Sequence, residues 1–196
     1  MKKQLFILGV ATIIGLSGCG NNSNGSDSDS KKESNQSEMD SKMNDSKMDH
    51  SQMKHTSSDE VPKGLKEAKD PKYKVGSQAI MKANHMKGMD GAEATIVGAY
   101  DTTAYVVDYT PTNGGEKVTN HKWVIQEEIK DADDKNLKPG TEVTLEADHM
   151  KGMKGAKATI DSAKKTTVYM VDYTPTNGGE KVTNHKWVTE SELSAK

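Results

Sequence analysis

Cysteine is almost missing from this sequence: Cys19 is the only one in 196 residues. A single thiol excludes an intramolecular disulfide framework and any thiolate-rich zinc or iron–sulfur site. Apolar residues are also scarce, at 32% of the chain with a mean hydropathy of −0.83. That supply is thin for one compact globule, so part of the chain is expected to stay unfolded. Neither sign of charge dominates. The formal net charge is −2 and the pI about 6.3, which speaks against the basic face of a nucleic-acid binder. The motifs of common catalysts are missing too: no nucleophile elbow, no glycine-rich phosphate loop and no His-Glu-x-x-His helix. Aspartates and histidines are present that could form an acid/base pair, but their spacing does not ask for one. The chain is expected not to be an enzyme.

The one cysteine has a context. Lys2 and Lys3 form a positive start, and Leu5 to Leu16 an apolar stretch too short to span a bilayer comfortably. Leu16-Ser17-Gly18-Cys19 then resembles a lipobox, which implies a diacylglycerol on Cys19 and cleavage just before it. The alternative, an ordinary signal peptide with a stray cysteine, leaves a lone free thiol without explanation. Two or three acyl chains, at roughly 0.8 kcal/mol per buried CH₂, hold a protein on a membrane without a spanning helix. Residues 1–18 thus read as a lipoprotein signal peptide. The mature chain is placed on the outer face of the cytoplasmic membrane.

Residues 19–60 read as a tether. They are rich in Ser, Asn, Asp, Lys and Met, and hold too few aromatic or β-branched residues to offset the entropy of ordering. A flexible chain of ~40 residues reaches roughly 35 Å. Beyond the tether the sequence is a duplication. His85-Met86-Lys87-Gly88-Met89 returns as His149-Met150-Lys151-Gly152-Met153, an offset of 64 (149 − 85). The stretch from Val107 to Val124 returns unchanged from Val171 to Val188, and no gap interrupts Gly76–Ile129 against Gly140–Leu193. The boundaries read as a first repeat domain at 61–130 and a second at 131–196.

Units this short are marginal alone, since little surface is buried at that size. Thr141 to Ala147 alternates with period two, as a half-buried strand does. Ala158–Ile160 reads as a next strand and Thr166–Tyr173 as the clearest one. Pro175 to Gly179 reads as a turn in which Asn-Gly-Gly supplies positive φ. Val182–Thr183 and His185–Val188 would close the unit, followed by a short strand or 3₁₀ turn at Glu190–Leu193. The spacing predicts a mainly β protein with two tandem SH3-like barrels, and a short helix or cap over Pro62–Tyr73.

Three groups of residues carry chemistry. In the tether Met39, Met43, Met48, His50, Met53 and His55 form a run of soft and borderline ligands. Methionine gains nothing from exposure and is liable to oxidation, so its use in a linker needs a reason. Thioethers select Cu(I), and imidazole serves several transition metals. Compositional drift is the bland alternative. The second group is the loop trio, His85, Met86 and Met89 with its copy His149, Met150 and Met153. Two thioethers and an imidazole can make a trigonal Cu(I) site, or the methionines can simply plug a core. The third is Asn-His-Lys-Trp. Trp123 and Trp187 are expected in the core, and His121 and His185 are candidate ligands, groups that orient ligands from outside the metal sphere, or plain surface residues.

The repeat segments His-Met-x-Gly-Met, Val-Asp-Tyr-Thr-Pro-Thr-Asn-Gly-Gly and Asn-His-Lys-Trp-Val resemble the YdhK-type two-repeat lipoproteins of Gram-positive bacteria. The layout of lipobox, Met/His-rich tether and two repeats also resembles the copper-tolerance lipoprotein CopL of Gram-positive bacteria. That resemblance implies extracellular copper binding that protects the cell, often beside a copper-exporting ATPase. Copper is the expected cargo, as Cu(I) in preference to Cu(II). A reading of a different class makes the tandem modules a cell-wall polymer-binding or adhesion device, with Tyr105, Tyr109, Trp123 and their copies lining a groove.

Overall fold

Two segments of unusual length dominate the fold. In the computed structural model, which describes residues 58–133 and 135–196, Glu93–Tyr109 and Lys157–Tyr173 are each one continuous 17-residue strand. In chain order the strands are β1 (Lys66–Glu67), β2 (Gln78–Met81), β3 (Glu93–Tyr109) and β4 (Val118–Ile125), then β5 (Glu142–Thr144), β6 (Lys157–Tyr173), β7 (Val182–Thr189) and β8 (Leu193–Ala195). Single 3₁₀ turns at Gln126–Glu128 and Glu190–Glu192 follow β4 and β7. The strand and 3₁₀ turn expected around residue 190 are thus both present. The two strands expected at Ala158–Ile160 and Thr166–Tyr173 are one, because Ser162 to Lys165 stays paired with β3 past a register shift at Asp161. Pro62–Tyr73 holds turns and β1 rather than a helix, with Lys66 opposite Asp101.

The mainly β, two-repeat architecture is as expected, but the repeats do not close on themselves as two tandem barrels. β3 and β6 pair antiparallel along their whole length, from Ala94 opposite Tyr173 to Tyr109 opposite Ala158. Thr102 faces Thr166, its own copy 64 residues on, so a pseudo-twofold axis passes between them. All eight strands belong to one sheet. Register shifts near Ile96/Gly98 and Val106/Val107 bend the long pair, as bulges do, so that each long strand serves two lobes.

The cores show what is exchanged. One lobe packs Tyr105, Val107, Tyr109, Val118 and Val124 of the first repeat against Leu145, Ala147, Met150, Met153 and Ile160 of the second. The other packs Ala79, Met81, Met89, Ala94 and Ile96 of the first against Tyr169, Val171, Tyr173, Val188 and Leu193 of the second. Each lobe therefore takes the front half of one repeat and the back half of the other. Between the lobes lies a third cluster of Ala104, Val106, Trp123, Ile125, Val168, Met170 and Trp187. Among the described residues no helix is long and apolar enough to cross a membrane.

Candidate functional site

The glycine of each His-Met-Lys-Gly-Met loop explains how the loop is seated. Gly88 and Gly152 hold φ of +81° and +83°, a region costly to other residues. A Cβ on Gly88 would lie 2.4 Å from Asn177 Oδ1, and one on Gly152 2.6 Å from Asn113 Oδ1. The Pro-Thr-Asn-Gly-Gly turn of one repeat lies on the loop of the other. Thr176 N–H donates to the Gly88 carbonyl and Thr112 N–H to the Gly152 carbonyl, each at 2.9 Å. The turn itself forms as expected, with φ of +83° at Gly114 and +82° at Gly178.

The trios expected from sequence are thus brought against the opposite repeat. His149, Met150 and Met153 are all buried, and the His149 ring lies 6.4 Å from that of His121 and 6.4 Å from that of Trp187. His121 stands edge-on to Tyr109, 5.6 Å between ring centres. In the other lobe His85 lies 6.3 Å from Trp123, and Tyr173 edge-on to His185 at 5.8 Å. Met89 is fully buried, while Met86 is half-buried against the same core. Met89 and Met153 therefore do what the packing alternative asks of them. Trp123 and Trp187 are core, as expected. His185 is buried and His121 half-buried, so neither is a plain surface residue. Cys19, Met39, Met43, Met48, His50, Met53 and His55 lie outside the described residues.

Two residues that sequence reasoning passed over hold the histidines. Glu192 Oε1 lies 2.7 Å from His85 Nε2, and Glu128 Oε1 lies 2.6 Å from His149 Nε2. Glu192 also accepts the Trp123 indole N–H, the Thr189 hydroxyl and the Thr189 N–H. Burial pushes the Glu192 carboxyl up, but the hydrogen bond from His85, the attraction of that ring when protonated, and the bonds from Thr189 and Trp123 outweigh it and hold it down at about 2. Glu128 accepts the Trp187 indole N–H and the Ile125 N–H. A signal for both was present: Glu128 and Glu192 keep the offset of 64 although Gln126-Glu127 becomes Glu190-Ser191.

Both histidines keep a buried Nδ1 with no hydrogen-bond partner, and so does the hydroxyl of Tyr109. Burial alone raises the Tyr109 phenol, and pushes that of Tyr173 up to about 12. Both phenols stay neutral, and Tyr173 O–H points to the Met86 sulfur at 4.0 Å. Among the described residues no three His, Cys, Asp or Glu side chains are grouped to hold a metal ion. A metal here would need thioether sulfur beside imidazole.

Residues 75–126 and 139–190 each match the family described as a protein of unknown function, DUF1541. The chain belongs to the DUF1541 family. It is 62% identical over 195 residues to the uncharacterized protein YdhK of Bacillus subtilis (strain 168), covering 100% of this chain and 90% of that protein. The YdhK-type resemblance is therefore sound. A crystal structure of a DUF1541 family protein, ydhK of the same organism, is similar at TM-score 0.69 and 76% identity. It covers 71% of this chain and 95% of its own. A solution structure of the ydhK C-terminal domain matches at TM-score 0.60 and 77% identity, over 63% and 93% of the two chains. In this DUF1541 chain each match to the family spans front and back halves that the fold sends to different lobes.

Proposed function

We propose that this chain is a copper-binding lipoprotein, anchored through Cys19 to the outer face of the cytoplasmic membrane, that sequesters or buffers copper for copper tolerance. It binds and does not catalyse. The observation that carries the reading is the pair of buried, unpartnered Nδ1 atoms of His85 and His149. A buried polar atom without a partner is costly, and an imidazole lone pair with methionines in the same loop offers the donor types a soft ion takes. His149 with Met150 and His121, and His85 with Met86 and His185, supply the donor types Cu(I) favours; Cu(II) is accommodated less readily by the sulfur. Met43, Met48, His50, Met53 and His55 offer the same donors in the tether, where they would collect the ion. The resemblance to copper-tolerance lipoproteins supports the same reading, and a copper-exporting ATPase is the natural source of the ion.

The test is a Cu(I) titration of unlipidated protein against a chelator of known affinity. Binding that outcompetes weak chelators is expected, with one equivalent lost in His149→Ala and another in His85→Ala. Failure to outcompete them, or unchanged affinity in both variants, would sink the reading.

A wall-polymer reading keeps one observation in its favour. A cleft of about 680 Å³ beside the His149 lobe is lined by Tyr109, Lys117, Lys130 and Lys135 among others. The groove expected from Tyr105, Tyr109 and Trp123 does not form, because Tyr105 and Trp123 are packed inside and Tyr109 alone of the three borders the cleft. Retention of the protein on purified cell wall in the presence of a copper chelator would favour the polymer.

A further inference from the structure

The groups that hold the two histidines come from outside their loops, and each set includes a tryptophan of the central cluster whose strand packs in the opposite lobe. Glu192 presents Oε1 to His85 Nε2 at 2.7 Å, while its Oε2 accepts the Trp123 indole N–H at 2.8 Å. Trp123 lies on β4, whose Val118 and Val124 pack in the His149 lobe. In the mirror arrangement Glu128 holds His149 Nε2 at 2.6 Å and accepts the Trp187 indole N–H at 3.1 Å. Trp187 lies on β7, whose Val188 packs in the His85 lobe. β4, which sets His121 6.4 Å from His149, thus sends Trp123 to the carboxylate of His85, and β7, which sets His185 edge-on to Tyr173, sends Trp187 to that of His149.

A carboxylate accepts hydrogen bonds and donates none. Facing Glu192 and Glu128, the histidine nitrogen that carries hydrogen must be Nε2. A neutral ring protonated there keeps its lone pair on Nδ1, the atom found buried and unpartnered in both lobes. A flipped ring would put carbon against the carboxylate and forfeit the bond.

Resting on the copper reading above, we propose that Glu192 and Glu128 are positioning residues that fix the tautomer and orientation of His85 and His149 for metal capture, and that each is held in place by a tryptophan on a strand of the opposite lobe. Outer groups of this kind raise ligand basicity and fix the ring, and their loss commonly costs about 10- to 100-fold in metal affinity. The pockets are set crosswise: Trp123 serves His85 and Trp187 serves His149.

Two readouts test this on the whole unlipidated protein. Imidazole ¹⁵N NMR of the metal-free protein should show His85 and His149 as Nε2–H tautomers, and Glu192→Gln should disturb His85 with little effect on His149. Cu(I) competition, read for the His85 pocket in a His149→Ala background, should show Glu192→Gln weakening it about 10- to 100-fold. Glu192→Asp, which keeps the acceptor, should recover part of that loss. Trp123→Phe should weaken the His85 pocket more than the His149 pocket, read in the converse His85→Ala background.

The proposal is overturned by an Nδ1–H or doubly protonated His85, by unchanged tautomer and affinity in Glu192→Gln, or by Trp123→Phe acting mainly on the His149 pocket. Unaltered Cu(I) binding in Glu192→Gln would leave the copper reading standing and remove this one. Wild-type protein that binds no Cu(I) would remove the copper reading and the metal role assigned to the carboxylates, whatever tautomer the NMR shows.

Discussion

The two lobes carry the same loop, turn and strand, yet they are closed by different means. In the His149 lobe Met150 is 2% exposed, and Ala132 and Leu137 add to the core. Those two come from the segment between the repeats, which the Gln126 side chain ties down by donating to the carbonyls of Ala132, Asp133 and Lys135. In the His85 lobe Met86 is only half-buried, and closure comes from Tyr73, whose hydroxyl donates to the Leu193 carbonyl. Leu193–Ala195 pairs with β2 as a strand, whereas its counterpart Ile129 makes a single bridge to Leu145 before the chain turns away. Repeats that share their loop and turn motifs therefore do not make identical pockets. What flanks each repeat decides how tightly its pocket is sealed, and the His149 lobe is the drier of the two.

The largest effect should come from breaking the exchange. A chain cut to residues 58–130 keeps the front half of one lobe and the back half of the other, with neither core complete. It should give no folded monomer; sedimentation and far-UV circular dichroism should show either an unfolded chain or a dimer in which a second copy supplies the missing halves. A folded monomeric single repeat would break the comparison, since each lobe would then not need both repeats.

That exchange is also where sequence reading stopped. Period-two alternation, the Asn-Gly-Gly turn and the duplication were legible, and they gave the β class and the presence of two repeats. The partner of each motif was not. Val107–Val124 and Val171–Val188 are the same string, so a turn packing on its own repeat's loop and one packing on the other's have the same sequence signature. The long strands hid for a related reason: Asp161 to Lys165 is mostly polar and exposed and reads as a loop, although Ser162 to Lys165 pairs with β3. His85, Met86, His149 and Met150 were legible as candidates from their residue types. Glu128 and Glu192 were not, because their role depends on partners up to 107 residues away.

A sharper comparison comes from the loop glycines. Alanine at Gly88 or Gly152 must adopt positive φ and push aside Asn177 or Asn113, at a combined cost of about 2 kcal/mol or more. Urea denaturation should show both losses. Gly88→Ala should lose more, because its Cβ would also meet the Pro175 ring at 2.9 Å, which cannot swing away as an asparagine amide can.

Acid should weaken the His85 lobe through Glu192. Its carboxyl sits at about 2 in the fold against an ordinary 4.5. A group depressed on folding adds stability above its unfolded value, and that stability drains away as pH falls from about 4.5 toward 2. The contribution is at most about 3 kcal/mol. Denaturation midpoints at pH 7, 4 and 3 should fall more steeply in the wild type than in Glu192→Gln, which lacks the titrating group.

The smallest effect concerns the ion pairs that both lobes share. Lys117 meets Asp108 at 3.1 Å and Lys181 meets Asp172 at 2.9 Å, with both lysines more than half exposed. Exposed pairs of this kind are worth about 0.5 kcal/mol or less, so Lys117→Ala and Lys181→Ala should barely move a denaturation curve. The aspartates have a second task. Asp108 and Asp172 each accept, at 2.9 Å, the N–H of an asparagine held at positive φ, Asn120 at 54° and Asn184 at 52°. That bend starts the Asn-His-Lys-Trp segment that sends its histidine to one pocket and its tryptophan to the other. Asp172→Ala should therefore cost about 1 kcal/mol more than Lys181→Ala, the usual worth of a lost hydrogen bond. Equal effects in the two variants would mean that the aspartates serve only the surface pairs and that the bend is held by the strand pairing alone.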